Sequence, residues 1–97
     1  MLNKHYMLVT KSSCPHCQNA FDLLKENKCS FAYTDMENAL NLLETVKEQA
    51  DWKTVPMIWE QTLDWKDEQP VVVENNFIGG YLELSGIFGK SDEDDQV

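Results

Sequence analysis

Between residues 6 and 34 the chain reads strand, helix, strand, and that order restricts its fold more than any other feature. Residues 6–10, YMLVT, are a short apolar run of the kind that forms a buried strand. The polar stretch KSSCPHC follows and leads into a helix. Cys17, Phe21 and Leu24, with Ala20 and Leu23 beside them, keep helical spacing through about Asn27. Pro15 suits the first helical position, where its missing N–H would find no partner anyway. Residues 31–34, FAYT, read as a second strand. A strand–helix–strand unit of this kind makes the two strands parallel, joined by a right-handed crossover.

The second half completes a sheet. Asp35 can cap a second helix with an apolar face of Leu40, Leu43, Val46 and Ala50. Residues 56–59, PMIW, begin a third strand. Residues 60–69 are polar and acidic, broken by Leu63 and Trp65, and read as an extended loop or a long hairpin arm. Residues 71–73, VVV, are a strand that Asn75 and Asn76 can turn and Phe77 and Ile78 continue. Gly79 and Gly80 open a last helix through about Phe88, with Gly89 as its stop. The order is β-α-β-α-β-β-α: an α/β fold with a mixed four-stranded sheet flanked by three helices. At 97 residues this is one domain, residues 1–90, followed by an acidic tail, residues 91–97.

Charge narrows the partners. The net charge is -9, with an acidic cluster at residues 92–95. A basic face for nucleic acid is therefore not expected. No apolar run approaches the roughly 20 residues of a membrane helix. The segment MLNKHYMLVT lacks the ordered parts of a secretory leader and reads as the start of a strand. A cytoplasmic monomer is the expectation. The three cysteines, at 14, 17 and 29, are an odd number, unlike a secreted disulfide scaffold.

Cys14 and Cys17 then stand as a redox pair. A thiol attacks a disulfide only as its thiolate, and a free cysteine near pKa ~8.5 is mostly protonated at neutral pH. Cys14 precedes the helix start, so unpaired N–H groups and the positive end of the helix dipole face its sulfur. Lys11, three residues upstream, adds positive charge, and His16 adds more when protonated. Cys17 lies within the first turn, less exposed and able to reach back to Cys14. A zinc site needs about four ligands. One CxxC with Cys29, His5 and His16 is a poor set for it, so no metal is expected. A static disulfide does not suit a reducing compartment. Cys29 reads as a small buried hydrophobe.

Two further stretches extend the pattern. Thr54, Val55 and Pro56 directly precede a strand, and Pro56 cannot donate to the sheet. The sequence leaves the isomer of the Val55–Pro56 bond open. In the cis form the backbone of Val55 can pair with an extended peptide; in the trans form the proline simply starts the strand. Gly80, Tyr81, Leu82 and Glu83 open the last helix. Glycine lets a ligand approach closely, the following N–H groups suit a carboxylate, and Glu83 suits an ammonium group. A ligand with carboxylates, an amine and a cysteine matches all three stretches, and glutathione has them.

KSSCPHC, TVP and IGGYLEL, in this order, resemble the glutaredoxins, thioredoxin-fold proteins that use glutathione. The resemblance spans about residues 4 to 89. It implies a thioredoxin-like fold and a dithiol oxidoreductase acting in electron transport and cell redox homeostasis. Cys14 matches the nucleophile and Cys17 the resolving thiol, within a loop that also holds Pro15 and His16. Lys11 matches the basic residue that meets the glycyl carboxylate of glutathione. Val55, before a cis Pro56 and beside Thr54, matches the backbone partner of the glutathione cysteine. Gly80, Tyr81, Leu82 and Glu83 lie where its γ-glutamyl end is held. The implied partners are glutathione and disulfide-bonded or glutathionylated client proteins, ribonucleotide reductase being typical of the family.

The chain departs from the family at His16, where tyrosine is usual, and at Leu82, where a small polar residue is common. A longer path, within EQTLDWKDEQP, replaces the family's short hairpin. Two other readings stay open: a carrier of a glutathione-ligated [2Fe–2S] cluster, and a thioredoxin-like reductase that does not use glutathione. Pro15 stiffens the loop and weighs against the cluster.

Overall fold

The computed structural model describes residues 2–89; the acidic tail expected at 91–97 lies outside the described residues. The elements are β1 (Leu2–Thr10), α1 (Pro15–Glu26), β2 (Ser30–Asp35), α2 (Leu40–Ala50), β3 (Met57–Lys66), β4 (Gln69–Gly79) and α3 (Tyr81–Ile87). The strands lie in the order β2-β1-β3-β4. β1 pairs parallel with β2 and antiparallel with β3, and β3 pairs antiparallel with β4. This is the mixed sheet and the thioredoxin-like α/β arrangement that the sequence implies. Among the described residues no helix is long and apolar enough to cross a membrane.

Two apolar clusters sandwich the sheet. Alternate residues of β1, Tyr6 and Leu8, meet Ile58 of β3, Ala20, Leu23 and Leu24 of α1, and Leu84 of α3. The opposite face carries Met57, against which Leu43 of α2 and Met36 are buried. The period-2 pattern of the strands thus sends neighbouring residues to opposite layers. Burying a side chain such as Leu8, Leu24 or Leu84 contributes about 1.5–3 kcal/mol. Of the helical stripe read from the sequence of α1, Cys17, Leu24, Ala20 and Leu23 are buried, while Phe21 is only partly buried.

Two local expectations change, and a third, left between an extended loop and a hairpin arm, is resolved. Asp35 ends β2 and does not cap α2. Its carboxylate accepts the N–H of Glu37 at 2.8 Å and the hydroxyl of Ser12 at 2.9 Å, while α2 starts after Ala39 with no side-chain cap. The long polar segment is a hairpin arm whose turn lies at Asp67 and Glu68, both with positive φ, of 52° and 66°. Asn75 and Asn76 make no turn: they pair with Gln61 and Glu60 inside one continuous strand β4. Ladder irregularities between Ile58 and Trp59 and between Thr62 and Leu63 let β4 keep pace with β3.

Candidate active site

The C-terminal end of β1 delivers the chain to the site. Residues 11–14 turn sharply, with Ser13 at a φ of 56°, and Cys14 becomes the N-cap of α1. Pro15 takes the first helical position, as expected. Cys14 and Cys17 form a disulfide, with Cα atoms 5.2 Å apart. The N–H of Cys17 donates to Cys14 Sγ at 3.2 Å. Cys17 is 2% exposed, whereas Cys14 is only partly buried. The two sulfurs therefore differ in access: one opens outward at a helix N-terminus and the other is sealed beneath it.

The stretch before β3 comes up against the same sulfur. The Val55–Pro56 bond is cis. The carbonyl oxygen of Val55 lies 3.9 Å from Cys14 Sγ, although the two residues are 41 apart in sequence. Pro56 is buried, Val55 is partly buried and Thr54 is exposed. The third stretch starts at Gly79, with a φ of 117°, and Gly80 caps α3. The carboxylate of Glu83 reaches back and accepts the N–H of Gly80 at 2.8 Å. Glycine is needed at 79 for its φ and for space: a Cβ there would lie 2.8 Å from Glu83 Cγ.

A groove of about 310 Å³ joins these stretches. His16 of α1 lines it, with Thr54, Val55 and Pro56, and so do Gly80, Tyr81, Leu82 and Glu83 at the start of α3. The imidazole of His16 stacks on the ring of Tyr81, with centroids 6.1 Å apart and planes 21° apart. Leu82 is 66% exposed at the edge of the groove. Lys11 is partly buried at the end of β1 and is not among the lining residues. Cys14, Pro15 and Cys17 do not line it either; Cys14 adjoins it through the Val55 carbonyl.

Trp52 lines the groove as well, and sequence reasoning passed over it. Asp51 ends α2 in the left-handed conformation, and the N–H of Trp52 bonds back to Lys47 O at 3.0 Å. That cap turns the indole toward the sheet, where it stands edge-on to Phe77 with ring centroids 5.5 Å apart. An atom of its six-membered ring comes within 3.8 Å of where a Cβ on Gly80 would be. The sequence carries only a weak signal for it: a tryptophan four residues before Pro56, just past the end of an amphipathic helix.

Cys29 is remote from this chemistry. It follows α1 and lies at the far end of that helix from Cys14, the 12 residues of α1 spanning about 18 Å. Its Sγ lies 3.7 Å from Asn27 O, and burial raises its pKa above the ordinary thiol value. It cannot act as the resolving thiol for Cys14.

The family model for glutaredoxin matches residues 6–62. No curated protein matches the chain. Among solved structures, a crystal structure of Plasmodium falciparum thioredoxin is similar with a TM-score of 0.48 and 13% identity, over 91% of this chain and 70% of that one. A second, described as the structure of a malarial protein, gives a TM-score of 0.45 and 12% identity, over 93% and 98% of the two chains. The family match takes in more than half of the sequence, including both paired cysteines and the turn at Val55, and on that ground this chain belongs to the glutaredoxin family of thiol–disulfide oxidoreductases.

Proposed function

We propose that the chain is a glutathione-dependent dithiol glutaredoxin that reduces protein disulfides and glutathione mixed disulfides. The observation that carries this reading is the position of Cys14 Sγ. It sits at the N-cap of α1, 3.9 Å from the Val55 carbonyl, beside a groove of tripeptide size. In the reduced chain, the Cys14 thiolate attacks one sulfur of the client disulfide. A Cys14–client disulfide forms and the other client sulfur leaves as thiolate. Cys17 then attacks Cys14 Sγ, the Cys14–Cys17 disulfide closes and the client sulfur leaves reduced. The leaving thiolates take their protons from water. Two glutathiones then return the pair to dithiol and are themselves oxidised to glutathione disulfide.

In this proposal glutathione lies along the groove. Its cysteine pairs with the backbone of Val55, beside Thr54 and Pro56. Its γ-glutamyl end meets Gly80, Tyr81, Leu82 and Glu83, and Lys11 attracts its glycyl carboxylate. Clients are disulfide-bonded or glutathionylated proteins of a reducing compartment such as the cytoplasm. The test is a glutathione-coupled assay, with glutathione reductase and NADPH, on wild type and two variants. Cys14→Ser loses all activity. Cys17→Ser keeps activity on glutathione mixed disulfides and loses it on intramolecular protein disulfides. Full activity in Cys14→Ser, or turnover supported by thioredoxin reductase without glutathione, overturns the proposal.

A further inference from the structure

The groove beside Cys14 has a character of its own. His16, Trp52 and Tyr81 give it three rings, and Val55, Pro56 and Leu82 give it aliphatic surface. Among the described residues no lysine or arginine lines it, and Glu83 is the one carboxylate, held in place by the N–H of Gly80 at 2.8 Å. The chain as a whole carries a net charge of -9. Leu82 projects from the first turn of α3 with 66% of its surface in solvent, next to the rim where Tyr81 stacks on His16.

We infer that this groove selects client segments in which the attacked cysteine is flanked by an apolar side chain and a basic one. The apolar side chain covers Leu82 and the edge of the His16–Tyr81 stack. The basic side chain reaches the carboxylate of Glu83 and is drawn in by the net negative charge of the chain. A segment flanked by small and acidic residues gains neither contact and is repelled. Leu82 and Glu83 are therefore specificity-determining residues, one for shape and one for charge. The inference rests on the oxidoreductase reading, with Cys14 as the attacking sulfur. It concerns the client half-reaction, which needs no glutathione.

The test uses the pre-reduced full chain as the reductant in a single turnover. Its Cys14–Cys17 dithiol becomes a disulfide while the peptide disulfide becomes a dithiol. Two synthetic peptides are compared, each closed by one disulfide. In the first, each cysteine is preceded by leucine and followed by lysine; in the second, it is preceded by serine and followed by glutamate. At low salt the first peptide reacts about tenfold faster or more, the scale on which one apolar contact discriminates. Leu82→Ser lowers that ratio several-fold. Glu83→Gln, which keeps an acceptor for the N–H of Gly80, lowers its salt dependence. Equal rates for the two peptides, or ratios unchanged in both variants with native circular dichroism, overturn the inference. Reduction of neither peptide overturns the oxidoreductase reading beneath it.

Discussion

The backbone N–H of Cys17 points at the sulfur of Cys14 across 3.2 Å. In the reduced chain that donor, with the N-terminus of the 12-residue helix α1, favours the thiolate over the thiol. Cys29 has the opposite environment, since burial raises its pKa. Alkylation of the reduced protein at pH 7 should therefore modify Cys14 first and Cys29 much more slowly. Cys29 should catch up only as the pH passes the ordinary thiol value of ~8.5. Peptide mapping by mass spectrometry across pH 5 to 10 measures both. Comparable labelling of Cys14 and Cys29 at pH 7 would count against an activated sulfur.

A second expectation concerns Gly79. Its φ of 117° disfavours any side chain, and a Cβ would also meet Glu83 Cγ at 2.8 Å. Gly79→Ala should cost about 1–3 kcal/mol in denaturant unfolding. Glu83 is flexible enough to swing away, but the N–H of Gly80 then loses its acceptor. Truncating Glu83 to alanine in the same chain should therefore recover only the steric share of the loss. Complete recovery in the double variant would mean that the backbone angle is harmless.

The parts of this protein that could be read from sequence are those fixed by local chemistry. Pro15 marks the start of α1, the stripe of Cys17, Ala20, Leu23 and Leu24 marks its buried side, and the strand–helix–strand order sets the parallel pair. The candidate site was legible for a similar reason. Cys14, Val55 and Gly80 each sit at the start of an element, where a residue's backbone groups are open to a ligand. The hairpin arm was harder. Trp59, Leu63 and Trp65 do alternate along β3, but Gln61 interrupts them and Glu68 is not a usual residue for a left-handed turn. The asparagines at 75 and 76 offered a better turn, and the ladder to β3 overrode them. Trp52 was missed because its role depends on Phe77 and Gly80, which only the folded sheet brings near.

That turn gives a third prediction. Asp67 and Glu68 both hold positive φ at the tip of the β3–β4 hairpin. A residue other than glycine, asparagine or aspartate pays about 1–2 kcal/mol for that region, a cost that falls here on Glu68. Replacing the pair with Asn-Gly, by Asp67→Asn and Glu68→Gly, should stabilise the protein by about 1 kcal/mol. The gain should appear as a higher urea midpoint with an unchanged slope. A lower midpoint would indicate that the acidic pair makes contacts worth more than the strain.

The fourth prediction joins β1 to β3 through Tyr6 and Glu60. The Tyr6 hydroxyl donates to Glu60 Oε2 at 2.8 Å, and Lys4 Nζ lies 3.4 Å from Glu60 Oε1. Burial raises the Tyr6 pKa well above the usual tyrosine value, and the hydrogen bond and negative charge of Glu60 raise it further. The native state therefore keeps the Tyr6 proton after the unfolded chain has begun to lose it. The resulting stabilisation is complete below pH ~10, the unfolded value, and fades as the pH climbs toward the raised native one. Tyr6→Phe removes both the bond and the titration. It should cost about 1.5 kcal/mol at pH 7, the scale of a hydrogen bond to a charged acceptor. Its disadvantage relative to wild type should then shrink between pH 10 and 11. Denaturant unfolding of the two proteins at pH 7, 10 and 11 provides the comparison. A gap that stays constant or widens over that alkaline range would show that Tyr6 ionises as freely in the native protein as in the unfolded chain.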